Sequence, residues 1–218
     1  MSNASLSKER DKDKTILKIK SSAKAEFLEK GFERASLRVI AKNAGVTTGA
    51  LYAHFQGKSS LFESIVSPVK DELMEMFKTG QDEHFALIER GQTDRSLELS
   101  TAKLHVFMDY IYGHFDEFRL LVTGAEGSTL AGFIHQLVDL DVEKTLEYIN
   151  AVKRKGYSVS PIDPVILNIL TNAYFTAVFE TVVRNITREQ ADIYIKSIAD
   201  FFNAGWEALL HFKGQPST

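Results

Sequence analysis

The order of apolar and polar positions along the chain predicts helices almost throughout. Ile16, Ile19, Ala23 and Phe27 fall at i, i+3, i+7 and i+11, so residues 12–30 are expected to form an amphipathic helix with a lysine-rich outer face. Gly31 is expected to stop it. Ser36 is placed to cap a second helix of about two turns carrying Leu37, Ile40 and Ala41, with Gly45 in the left-handed position that ends such helices. Thr47 is placed to cap a third, which holds Leu51, Tyr52 and Phe55, and Gly57 separates it from a longer helix that begins at Lys58.

Beyond residue 65 the helical period persists, and no run shows the sustained two-residue alternation that strands require. Helices are expected over 58–78, with Pro68 kinking or breaking the first, then over 96–112, 115–122, 129–155, 164–184 and 188–212. The fold class that follows is all-α, with a three-helix head over 1–57 and a helical body over 58–218. Thirteen of the 20 residues from Pro164 to Val183 are apolar. Asn168, Thr171, Asn172, Thr176 and Glu180 interrupt that run, which favours a buried helix over a membrane span.

Composition changes this picture little. Hydrophobic residues are 44%, charged residues 25%, and cysteine is absent, so the chain reads as an ordinary globular protein without thiol chemistry or need of an oxidising compartment. Its opening residues are polar and charged where a secretory signal would be apolar, so a cytoplasmic setting is expected. Charge distribution says more. The net charge is only −3, but residues 1–65 carry 12 Lys and Arg against 7 Asp and Glu, leaving 14 against 22 for the rest. A basic head suits a polyanion such as nucleic acid, and an acidic body is better suited to self-association or small-molecule binding.

The informative stretch is ASLRVIAKNAGVTTGALYAHFQGKSSLF, residues 35–62, because helix, glycine-containing turn and helix in this compass is the pattern of a helix-turn-helix. Ile40 and Ala41 are expected to pack against Val46 and Leu51 while Ala44 and Gly45 let the turn close. Thr47, Thr48, Gly49 and Ala50 are small enough to bring a helix N-terminus, with its exposed N–H groups and dipole, close to phosphates and base edges.

Within it, AGVTTGALYAHFQGKSSLF, together with the preceding Phe27 and Gly31-Phe32, resembles the signature of the TetR family of transcriptional regulators. The close match covers residues 15–65, and beyond them the resemblance is one of length and helical character. It implies a homodimeric repressor that binds a palindromic DNA operator through its head and a small-molecule effector through its C-terminal domain. Carried over by position, it implies phosphate contacts for Tyr52, His54 and Lys58. Thr47 and Thr48 match the start of the recognition helix, and Ser36 matches a capping position near the DNA backbone. Arg38 stands where a side chain can reach a base or phosphate, and Gly49 and Ala50 where residues touch base edges. Ala50 departs from the hydroxyl residue common at its position, and Ser59 from a frequent acidic one.

Other chemistry is thinly represented. The histidines, His54, His84, His105, His114, His135 and His211, show no metal-binding spacing, and Gly124 to Gly132 lacks the lysine and preceding strand of a phosphate cradle. No metal, cofactor or catalytic site is expected. Asn168, Asn172, Phe175 and Phe179 fall at i, i+4, i+7 and i+11 and place two carboxamides on one apolar helix face. With Tyr110, Phe118 and Phe133 they form the expected effector site, although interhelical hydrogen bonding would satisfy the amides equally well. Leu170, Ala173, Ala177 and Thr181 on the opposite face, with Ile198, Phe201, Phe202, Gly205 and Leu209 on the last helix, are expected to form a two-fold interface or, failing that, an intramolecular core. A DNA-binding helical protein that acts through protein partners, without an effector, is the alternative.

Overall fold

The structure is a computed structural model and describes residues 3–90 and 96–210. Its described residues form nine α-helices and no strand. They are α1 (Asn3–Arg34), α2 (Leu37–Asn43), α3 (Thr48–Tyr52), α4 (Lys58–Glu89), α5 (Ser96–Gly113), α6 (Phe115–Arg119), α7 (Phe133–Arg154), α8 (Pro164–Val183) and α9 (Arg188–Leu210). Leu120–Gly124 continues α6 as one π turn. The predicted end of the last helix at Phe212, with His211, lies outside the described residues.

Two compact units result, and each is self-contained. The head comprises the chain up to Asp71 together with His114–Ala131, and the body comprises Glu72–Gly113 and the chain from Gly132. This division differs from the expected one at 57/58, because Leu61, Phe62 and Val66 of α4 are fully buried in the head and the α6 segment is packed with them.

In the head, Ile19, Ala23 and Phe27 form the buried stripe that the period of α1 requires. Gly31 (φ +74°) breaks the helical backbone there, as its position predicts. Phe27, Phe32 and Phe62 then close on one another, with ring centroids 5.0 Å apart for Phe27 and Phe62 and 5.2 Å for Phe32 and Phe62. α1 reaches back to Asn3, well before residue 12, and residues 3–11 carry no apolar stripe for a period to reveal.

Pro68 lies inside α4 without ending it. A proline has no N–H, so the Ser64 carbonyl four residues earlier loses its helical partner. The Lys20 ammonium of α1 donates to that carbonyl at 2.9 Å. At the other end of the head segment, α7 begins at Phe133 and not at residue 129, since Gly132 takes φ +88° and Ser128 spends its hydroxyl within a local turn, donating to the Ala125 carbonyl.

In the body, α7 and α9 pack against α8, and α5 packs against α9. α8 buries Leu167, Thr171, Phe175, Val178, Phe179 and Val182. It is also long and apolar enough to cross a membrane, as the buried core helix of a globular domain can be. Its N-terminus is fixed by Asp163, whose carboxylate accepts the Val165 N–H at 2.7 Å, with Pro164 in the first turn.

Candidate nucleic-acid interface and body cavity

α2 and α3 are joined by a tight turn in which Gly45 adopts φ +69° and the Val46 N–H returns to the Ala41 carbonyl at 3.0 Å. Thr47 then caps α3, its hydroxyl accepting the Ala50 N–H at 3.1 Å. Leu51 is fully buried and anchors the helix from beneath. On its other side Thr47 and Gly49 are exposed, and Tyr52 is 53% exposed. Thr48, Ala50 and His54 are partly buried, and Arg38 of α2 is exposed.

Two predicted contact residues have structural work that the sequence did not reveal. Ser36 sits at the N-cap of α2 in extended conformation, but its hydroxyl makes no cap. Its amide N–H instead donates to the carboxylate of buried Glu26 at 3.1 Å. The Lys58 ammonium donates to the Glu33 carbonyl at 2.7 Å and lies 4.8 Å from the Phe32 ring centroid, so it ties α4 to the end of α1.

The body holds an open-sided cavity of about 480 Å³. Seven aromatic side chains contribute to its wall, Phe77 of α4, Phe107 of α5, Tyr174, Phe175 and Phe179 of α8, and Phe202 and Trp206 of α9. Polar residues contribute as much, among them Gln81, Asp141, Thr171 and Asn203. Asp141 of α7 accepts a hydrogen bond from the Gln81 amide at 3.1 Å, and burial pushes its carboxyl up to about 7 while that bond pulls the other way. The Tyr174 phenol is pushed well above its usual range by burial and then by the Asp141 charge. Thr171, 1% exposed, is the one buried side chain among the described residues whose hydroxyl lacks a hydrogen-bond partner.

Residues 19–65 match the model of the bacterial regulatory proteins of the tetR family. The chain is 48% identical over 44 residues to the transcriptional repressor BepR of Brucella suis, covering 20% of this chain and 21% of that one. It is 31% identical over 64 residues to the transcriptional regulator UidR of Escherichia coli K12, covering 29% and 33%. The chain thus spans a fifth to a third of the curated relatives that it matches. Over this segment the chain is similar to the tetR family of regulators. Likeness of fold extends further. A TetR-like transcriptional regulator from a Rhodococcus species superposes with a TM-score of 0.55 at 18% identity, covering 88% of this chain and 96% of that one. The TetR family regulator PfmR from Thermus thermophilus gives 0.52 at 16% identity, covering 90% and 99%. These relatives and neighbours are transcriptional regulators.

Set on a TetR fold, the seven residues expected to line an effector site divide. Phe175 and Phe179 line the cavity, whereas Tyr110, Phe133, Asn168 and Asn172 are not in its wall, and Phe118 is buried in the head. On α8 the cavity side is that of Thr171 and Phe175, so the two carboxamides fall beside it. Tyr110 donates its hydroxyl to Glu72 at 2.8 Å, and Phe133 stacks edge-on against Phe179. Of the expected interface residues, Thr181 is buried and Phe202 lines the cavity, while Ala173, Phe201, Gly205 and Leu209 are exposed. Val165, Ile166 and Ile169 of α8 and Ile193 and Tyr194 of α9 are exposed as well. No group of three or more metal-ligating side chains occurs among the described residues.

Proposed function

We propose that this chain is a cytoplasmic, homodimeric transcriptional repressor that binds a palindromic operator and is released from it by a small molecule held in the body cavity. The observation that carries the reading is the presentation of α3. Its buried Leu51 fixes it to the head while the capped N-terminus and Tyr52 face solvent, the arrangement a recognition helix needs in a major groove. Thr47, Thr48, Gly49 and Ala50 would meet base edges. Ser36, Arg38, Tyr52 and His54 would meet phosphate, and Lys58 would add positive charge behind them. The exposed apolar side chains of α8 and α9 suit a two-fold contact between copies, which would set two recognition helices about 34 Å apart.

The test is footprinting on the chain's own promoter, with mobility shifts against operator and random duplex. Tyr52→Phe is expected to weaken both alike, because a phosphate contact carries no base information, and Thr48→Ala is expected to change operator preference. Protection of no promoter sequence by the intact protein would overturn the reading.

A further inference from the structure

We infer that the body cavity takes an apolar organic cation, and that Asp141 is the group that meets its charge. This rests on the proposal that the cavity is an effector site, and it adds the chemical class of the effector.

The charge of the wall carries the argument. Asp141, Glu72 and Glu75 line the cavity, and Lys103 is the one basic residue among the described residues of its wall. That lysine is already spent, since its ammonium pairs with Glu83 at 2.6 Å. A carboxylate or phosphate ligand would therefore enter a space whose described wall holds acidic groups and no uncommitted cation, and no opposite charge there would offset its loss of hydration. A positive ligand meets the opposite. Asp141 is desolvated and accepts from Gln81 through one oxygen, so its carboxylate has further lone pairs to offer. Seven aromatic side chains share the wall with it, and an aromatic π face attracts a cation.

Thr171 is compatible with the same class. Its buried hydroxyl lacks a partner, and a ligand N–H is a donor that its oxygen can accept. An apolar amine, protonated, thus satisfies Asp141 by charge, Thr171 by hydrogen bonding and the remaining wall by burial. Burial raises the Asp141 carboxyl, and a cation beside it would restore the ionised form, so ligand charge and carboxyl ionisation are coupled.

Trp206 lines the cavity and is the only tryptophan in the chain, so its fluorescence reports occupancy directly. The probes are tetraphenylphosphonium and tetraphenylborate, which match in shape and differ in sign of charge, titrated into the intact protein at a pH above the carboxyl's titration range. The phosphonium is expected to bind at least about tenfold tighter, and Asp141→Asn is expected to remove most of that preference by weakening the phosphonium, with the borate bound no more weakly than before. Equal binding, or tighter binding of the borate, by the wild-type protein overturns the inference whatever the variant does. So does a folded Asp141→Asn protein, shown by its melting curve, that keeps the full preference. Operator release is scored separately: cation binding that leaves the operator bound would sustain the cation site and sink the effector reading.

Discussion

Asp141 shows how much one side chain can hold that sequence spacing cannot. Its partner Gln81 lies 60 positions away, and nothing local marks an aspartate on α7 as buried. The folded carboxyl titrates near 7 and the unfolded one near 3.8, so between those values the native state binds the extra proton. Stability must therefore fall as pH rises from about 4 to about 7, and stay lower above that window. Asp141→Asn keeps an oxygen to accept from Gln81, and is expected to melt with a flatter pH profile and at a higher temperature than wild type above pH 7. Melting curves across that range check it, and identical profiles would remove Asp141 as their source. Lys58 is a parallel case. Family position marks it as a phosphate contact, but its bond to the Glu33 carbonyl, 25 residues back, makes it part of the head's framework. Lys58→Ala is expected to lower the urea midpoint, at a cost of about 1–2 kcal/mol, as well as to weaken DNA binding. Unchanged stability would return Lys58 to a purely electrostatic role.

The left-handed glycines and the Thr47 cap were the most readable features, since they act within a few residues of themselves, whereas the starts of α1 and α7 and the end of α4 lay elsewhere than expected. Gly31, Gly45 and Thr47 all stand where local chemistry put them. Faces were less readable. α8 is apolar nearly all round, so periodicity finds an amide-bearing face at Asn168 and Asn172 without telling which side meets a cavity. Only packing against α7 and α9 decides for Thr171 and Phe175. Pro68 was legible as a break in bonding and not in what repairs it. With the Lys20 ammonium standing in for the missing N–H, Lys20→Met is expected to cost about 1 kcal/mol, and much less when Pro68→Ala restores a donor to the Ser64 carbonyl. A double-mutant cycle measures this coupling, and additive effects would show that the lysine does not serve that carbonyl.

For the whole molecule, fold class and head were more legible in the sequence than the boundary between units, because charge and motif are read along the chain whereas compactness is decided across it. The exposed α8 and α9 side chains lead to one expectation at this scale. Phe201, 74% exposed, should matter to self-association more than to folding, so Phe201→Glu is expected to shift sedimentation from dimer to monomer with little loss of melting temperature. A variant that sediments unchanged would move the contact elsewhere. The head's discontinuity has a different consequence, in time. Its first 71 residues leave the ribosome long before His114–Ala131, the segment that contributes buried Phe118, Leu120, Leu121 and Leu130. A chain stalled after Asp71 therefore lacks part of its own core, and closure waits on the synthesis of 60 more residues, to Ala131, most of them belonging to another unit. The nascent head is thus obliged to finish folding only while the body is already being made.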